Sequence, residues 1–385
     1  MGAPPLLRCW LDLALLCQCT LTRPGDAELL RGLNKNHDRA LWRAELRIRF
    51  IGALQRCLFG LGVCLATVIG AADSANDSVP YEQRPEVSAY IDSLVSKHGF
   101  DRSELETLLS KAQRKQSILD AISRPAERTL EWKDYRKIFM KDDRIAGGVE
   151  FWNQNADVLA RAAQQFGVPP EYVVAIIGVE TRYGKFMGKY RVLDALATLG
   201  FDYPPRSKFF RKELTEYLLM TREEGMDPEA QLGSYAGAMG FGQFISSSFR
   251  AYAVDFDGDG VRDILRNKTD AIGSVANYFK RHGWRGDAQV IVPVALQDPA
   301  TDELANKGEA LRHTVAGLRA QGVVIPCVEE TAKAALFRME AEVGTQYWVG
   351  LNDFYAITRY NHSSMYALAV HQLAQAIKAR RVETP

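Results

Sequence analysis

Pro169-Pro-Glu-Tyr-Val-Val-Ala-Ile-Ile-Gly-Val-Glu-Thr-Arg-Tyr-Gly184 is the stretch on which the reading of the chain turns. Two prolines suit the first turn of a helix, whose N–H groups have no partner within the helix, and a glycine suits the residue that ends one. Inside this bracket Glu180 stands three, four and seven residues after Ile177, Ile176 and Val173. A helix from Glu171 to Tyr183 therefore puts a carboxylate on an apolar stripe. An acid in that position is costly unless it is protonated or paired. Either desolvation tunes the carboxyl toward neutral pH, fitting it to give a proton to a glycosidic oxygen, or an arginine such as Arg182 neutralises it at the mouth of the helix. Periodicity alone favours the arginine.

The next informative segment is Gly233-Ser-Tyr-Ala-Gly-Ala-Met-Gly-Phe-Gly-Gln-Phe244. Its small residues allow an extended polymer to come close to the backbone, and Gln243 can donate to and accept from a sugar N-acetyl or hydroxyl group. A tight structural hairpin with buried glycine is the alternative. Upstream, Val87 to about Gly147 repeats apolar residues at helical spacing, and Asp101-Arg-Ser-Glu-Leu carries an N-cap signal. After Trp284 the period changes. Val290–Leu296, Val323–Ile325, Ala335–Glu340 and Tyr347–Gly350 cluster β-branched and aromatic residues, as short strands do. From Ser363 to Arg380 the helical pattern returns, with Tyr366, Val370, Leu373 and Ile377 on one stripe. The expected class is α+β, mostly helical.

Four ordered blocks resemble the lytic murein transglycosylases of the B type. They are Ile176–Gly184, Ser234–Phe244, Ala271-Ile-Gly-Ser-Val-Ala-Asn-Tyr-Phe279 and Gly350-Leu-Asn-Asp-Phe-Tyr-Ala-Ile-Thr-Arg-Tyr-Asn-His-Ser363, and the likeness runs from about Val87 onward. The resemblance implies a lysozyme-like core with a helical subdomain and a small β-rich subdomain, and it implies that Glu180 is the catalytic acid/base. Ser234 and Gln243 then hold the substrate around the scissile bond, and Tyr135, Tyr278, Tyr360, Asn361 and Tyr366 line the cleft. Aromatic faces stack on sugar rings, and phenol and amide groups bond ring substituents. Half-buried packing is the alternative for each tyrosine, and is favoured for Tyr366 because it fits the helix stripe. Arg206 is a candidate for a peptide carboxylate of the substrate, although Pro205 stands where the family often has a second arginine.

The resemblance also implies a reaction. Ordinary glycosidases need two carboxyl groups, and no second acid stands in the matched blocks around Glu180, though Asp202 or Glu223 could fold into the cleft. In the family the muramic-acid C6 hydroxyl attacks its own C1, so one carboxyl suffices and a 1,6-anhydromuramic end is left. A hydrolytic muramidase and an inert peptidoglycan-binding scaffold are the competing functions.

Asp255-Phe-Asp-Gly-Asp-Gly-Val-Arg-Asp263 places acids at positions one, three, five and nine of an EF-hand-like loop, with Gly260 at six and the carbonyl of Val261 at seven. Position twelve is Arg266 instead of glutamate. In the resembled family a later acid completes the loop, and Asp270 stands in that place. It would equally serve as a helix N-cap. Structural Ca²⁺ held by Asp255, Asp257, Asp259, Val261, Asp263 and Asp270 is expected, because carboxylates crowded this densely repel one another without a cation. No organic cofactor is expected.

The chain has 385 residues and a formal net charge of +1, which gives no support for a nucleic-acid partner. Residues 1–72 read as a leader, with Arg43, Arg47, Arg49 and Arg56 before the apolar run Cys57–Gly70 and small residues at Ala71-Ala72. An uncleaved anchor is the alternative, and the run is shorter than the ~20 residues that span a bilayer. Cys64 sits in mid-run after Val63, so lipidation is not expected. The expected divisions are a linker over 73–86, a helical subdomain over 87–149, a catalytic core over 150–284 with the acidic loop 255–270, a β-rich subdomain over 285–349, and a return to the helical body over 350–385. A monomer in the periplasm of a Gram-negative bacterium completes the expectation, with membrane association through the leader as the alternative to its removal.

Overall fold

The computed structural model describes residues 79–123, 130–286 and 289–383. The chain divides into two compact units, Met1–Arg84 and Pro85–Pro385. Of the first, the described part is a short 3-10 turn, Tyr81–Gln83, beside which Arg84 Nε donates to Val79 O at 2.9 Å. The leader and the linker up to residue 78 lie outside the described residues. Pro85 already opens a helix, so the last two residues assigned to the linker are helical.

In the second unit, α1 (Pro85–His98), α2 (Arg102–Ser110) and α3 (Gln116–Ile122) come first. Asp101 caps α2 by accepting the Glu104 N–H at 3.0 Å, which satisfies one of the donors a helix start leaves bare. There follow α4 (Trp132–Phe139), α5 (Asp142–Gln154), α6 (Ala156–Phe166) and α7 (Pro170–Thr181). A two-stranded ribbon pairs β1 (Tyr190–Arg191) with β2 (Leu232–Gly233), and α8 (Val192–Phe201) and α9 (Ser207–Glu223) lie between these strands in sequence. Short α10 (Ser246–Tyr252) and α11 (Lys268–Arg281) close this part.

The β subdomain is an antiparallel sheet in the order β4-β6-β7-β3-β5, built from β3 (Ile291–Leu296), β4 (His313–Thr314), β5 (Val323–Val324), β6 (Lys333–Glu340) and β7 (Thr345–Gly350). Cross-strand neighbours Val292, Val349 and Leu336 share one side of it. With Val315, Leu318, Val323 and Leu351 they bury a small core of their own, which is what lets a sheet this narrow persist. Helix α12 (Val315–Ala320) and the 3-10 turn Pro299–Leu304 were not expected from the strand pattern.

Helices α13 (Asn352–Tyr360) and α14 (Ser364–Glu383) return the chain to the helical body, where α14 packs on α7, α5, α4 and α13. Helix α7 is enclosed by α14, α5, α6 and α11. Every residue from Glu171 to Gly178 is buried, so this helix has no solvent face, and the apolar stripe of the sequence is a fully enclosed rod. No described helix is long and apolar enough to cross a membrane.

Candidate active site

Past Gly178 the rod α7 opens toward solvent, and Val179 and Glu180 are half-buried. Beyond Thr181 the backbone turns left-handed at Arg182 (φ 49°), Tyr183 (φ 61°) and Gly184 (φ 89°). Two non-glycine residues in that region are unfavourable by local sterics and need support from the surroundings. Tyr183 supplies part of it: its ring folds back beneath the helix and its hydroxyl donates to Arg144 O at 2.7 Å. A methyl group at Gly178 would come within 2.6 Å of that hydroxyl, so glycine is required there for close approach. Arg144 donates from Nη1 to Gly178 O at 2.7 Å, adding a second donor to a carbonyl that already accepts the Arg182 N–H at 3.2 Å. Burial and the charge of Arg182 lower the Arg144 pKa. Thr181 Oγ1 lies 3.0 Å from both Ile177 O and Phe241 O, joining the end of α7 to the glycine-rich segment.

Arg182 does not neutralise Glu180. It turns to Asp143 at 3.6 Å and lies over the Phe186 ring. Glu180 Oε1 instead accepts the Tyr366 hydroxyl at 2.5 Å. Burial and the adjacent charge of Glu180 push both the Tyr366 and Tyr360 hydroxyls far above the ordinary tyrosine pKa, so both stay protonated donors. Packing alone, the favoured reading for Tyr366, does not account for it: the side chain is buried and also grips the carboxylate.

The remaining tyrosines build a wall around this pair. Tyr360 donates to Gly242 O at 2.7 Å, fastening α13 to the glycine-rich segment. Tyr278 donates to Arg359 O at 2.6 Å and stacks on His282 with ring centroids 4.0 Å apart, while Tyr360 lies tilted against it at 4.6 Å. Tyr135 is buried against Phe139 and lies within electrostatic reach of Tyr366. Asn361 sits half-buried immediately after α13.

In the glycine-rich segment, Ser234 N donates to Ala238 O at 2.8 Å and Met239 bridges both Gly233 and Phe244. The segment is therefore a tight hairpin, as the structural alternative had it, and it also carries side chains to the site. Ser234 Oγ accepts the Ala236 and Ala238 N–H groups at 3.3 and 3.1 Å, which leaves its own proton for a ligand. Gln243, at φ 51°, donates from Nε2 to Met187 O at 3.2 Å and Gly240 O at 3.0 Å. Its amide donors are thus engaged, and Oε1 is left as an acceptor. Arg206 lies elsewhere, exposed in the 3-10 turn Pro204–Arg206 with its guanidinium 4.3 Å over the Phe209 ring, and it touches neither Glu180, Ser234 nor Gln243.

The two acids that the sequence offers as partners for Glu180 are held by arginines. Asp202 faces Arg114 at 3.8 Å. Glu223 pairs with Arg250 at 2.6 Å, which lowers its pKa.

In the acidic loop, Asp255, Asp257 and Asp259 bring carboxylate oxygens within 4.8 Å of one another. Asp255 also accepts the Gly258 and Gly260 N–H groups at 2.7 and 2.8 Å, so the backbone wraps the cluster. These hard oxygen donors fit a Ca²⁺ ion. The other residues assigned to the loop make contacts of their own. Asp263 Oδ1 accepts Leu265 N and Arg266 N, each at 3.0 Å, and Val261 is an exposed residue of the loop. Asp270 is fully buried, with its two oxygens accepting Phe256 N at 2.7 Å and Asp263 N at 2.8 Å, and burial raises its pKa. It clamps the two ends of the loop, and it is not the N-cap of the helix that follows. The cap of α11 is Asn267, which accepts Thr269 N at 2.9 Å and donates to Asp257 at 2.6 Å, lowering the Asp257 pKa. Asn267, Arg144, Thr181 and Tyr183 were missed in the sequence. An asparagine three residues before Asp270 is an N-cap signal that was there to find.

The model of the transglycosylase SLT domain matches residues 82–375. The chain is 48% identical over 313 residues to membrane-bound lytic murein transglycosylase B of Escherichia coli (strain K12), covering 79% of this chain and 85% of that protein. Among solved structures it resembles the catenated lytic transglycosylase SltB1 from Pseudomonas aeruginosa, with 51% identity, a TM-score of 0.76, and coverage of 78% of this chain and 99% of that one. It likewise resembles the Escherichia coli lytic transglycosylase Slt35 in complex with calcium, with 48% identity, a TM-score of 0.71, and coverage of 78% and 95%. With most of its length matched in both sequence and structure, the chain belongs to the SLT-domain transglycosylases.

Proposed function

We propose that this protein is a lytic transglycosylase that cuts the β-1,4 bond between N-acetylmuramic acid and N-acetylglucosamine in peptidoglycan, leaving 1,6-anhydromuramic ends, with Glu180 as the single acid/base. The observation that carries this reading is the setting of Glu180. It is one half-buried carboxyl at the end of an enclosed helix, held by the hydroxyl of Tyr366, with Asp202 and Glu223 held by arginines.

In its protonated form Glu180 gives its proton to the glycosidic oxygen as the C1–O bond breaks. The C6 hydroxyl of the same muramic acid then bonds to C1, and Glu180 takes its proton. The carboxyl ends as it began, and no water enters. Intramolecular attack benefits from a high effective concentration, which reduces the need for a second carboxylate to activate a nucleophile. Tyr366 holds the carboxyl in one orientation through both transfers. Ser234 Oγ and Gln243 Oε1 offer a donor and an acceptor to the flanking amino sugars, and Tyr135, Tyr278, Tyr360 and Asn361 shape the cleft. Arg206 is left out of this group.

Asp255, Asp257 and Asp259 would hold Ca²⁺, whose role is to neutralise the cluster and tie the loop to α11. The place of action is the periplasm, with the run Cys57–Gly70 as the export signal.

Mass spectrometry of digested peptidoglycan tests the reading. Anhydro ends are expected. Reducing ends would identify a hydrolytic muramidase, and intact strands would identify an inert scaffold.

A further inference from the structure

Phe186 is 62% exposed and Tyr235 37%, and they are the aromatic side chains among the exposed large hydrophobics of the described residues. A third such residue, Leu232 at 50%, belongs to the same region. Apolar side chains exposed together, rather than singly, mark a surface that something covers.

Their backbone places them beside the site. Phe186 N donates to Thr181 O at 2.9 Å, which folds the chain back so that Phe186 stands next to the residue following Glu180. The neighbouring Met187 O accepts the Gln243 amide. Gly188 then presses on the second loop: a methyl group there would lie 2.0 Å from Gly233 C and O and 2.5 Å from Ser234 N, so nothing but glycine fits. Tyr235 follows Ser234 directly. The two rings thus rise from adjoining loops, one fastened to the end of the catalytic helix and to Gln243, the other to Ser234.

We propose that Phe186 and Tyr235 form a stacking platform for a sugar ring of the glycan strand beyond the pair that flanks the scissile bond. The occupant is an amino sugar, because the platform continues a cleft read as holding such a strand, and the inference rests on that reading. The apolar C–H face of a pyranose lies on an aromatic ring as another apolar face does. Exposed Lys185, beside Phe186, sets a positive charge where a strand bearing peptide carboxylates would pass. The platform adds binding energy remote from the reacting bond and acts on strand length.

The test uses the full-length protein with glycan strands of graded length. Phe186→Ala and Tyr235→Ala each raise the KM for long strands about threefold, and together about tenfold. The increase shrinks as the strand is shortened toward a tetrasaccharide, and Phe186→Trp restores the wild-type KM. Since both side chains are exposed, the melting temperature is expected to stay unchanged, which separates binding from folding. A double variant with the wild-type KM on long strands, or an increase independent of strand length, overturns the proposal. So does loss of binding to phosphatidylglycerol vesicles with the KM unmoved, which would make the rings a membrane contact. If the wild-type protein releases no fragment from any strand, the transglycosylase reading itself fails, a result distinct from all of these.

Discussion

The end of α7 and the loop 255–270 treat carboxylates in opposite ways. At Glu180 a single acid is set apart, with tyrosine hydroxyls around it and an enclosed apolar helix behind it. In the loop three acids crowd within 4.8 Å, and backbone N–H groups, Asn267 and the buried Asp270 hold the cage in shape. A carboxyl that must gain and lose a proton needs freedom from fixed cations and a low-dielectric setting. Carboxylates that must stay ionised need donors that never leave and a cation to balance them. The same functional group suits the proton transfer proposed for Glu180 in one region and serves as a structural clamp in the other, by neighbours alone.

That contrast can be broken in several ways. Glu180→Gln keeps the shape and removes the proton, so turnover falls at least about a thousandfold while strands are still retained in a sedimentation assay. Undiminished turnover would remove Glu180 from the chemistry. Tyr366→Phe deletes the hydroxyl that grips the carboxylate, and kcat falls about tenfold to a hundredfold with little change in KM. An effect on KM alone would make Tyr366 a substrate contact. Asp270→Asn sets an amide NH₂ against a backbone N–H, and the unfolding free energy drops by about 2 kcal/mol, seen in denaturant titration. A loss of activity as deep as that of Glu180→Gln, without loss of stability, would erase the distinction between the two regions. Last and smallest, saturating calcium raises stability by about 1 kcal/mol, and Asp257→Asn abolishes the rise. An equal rise in the variant would place calcium elsewhere.

The helical architecture was legible because it is written in local rules. Pro169-Pro170 marks the start of α7, Asp101 caps α2, and the stripe from Tyr366 to Ile377 brings α14 back to the body. The β subdomain showed itself by a change of period, but the 3-10 turn Pro299–Leu304 and α12 escaped because short elements are fixed by packing on the sheet rather than by pattern. The site was legible as a set of residue types and not as a set of bonds. Arg182 looked like the partner of Glu180 because it is near in sequence, yet the left-handed turn aims it at Asp143, and the observed donor comes from 186 positions away. Asp270 read equally well as the acid that completes the loop and as an N-cap, yet Asn267 takes the cap and Asp270 is buried against the backbone of the loop. Contacts of this range depend on how helices pack, which spacing along the chain does not encode.

The central claim is that one carboxyl acts twice and water takes no part. It is tested most directly by digesting peptidoglycan in water enriched in oxygen-18 and weighing the muramic ends. The account predicts anhydro ends that carry no label. Reducing ends that have gained one labelled oxygen per cut would contradict it.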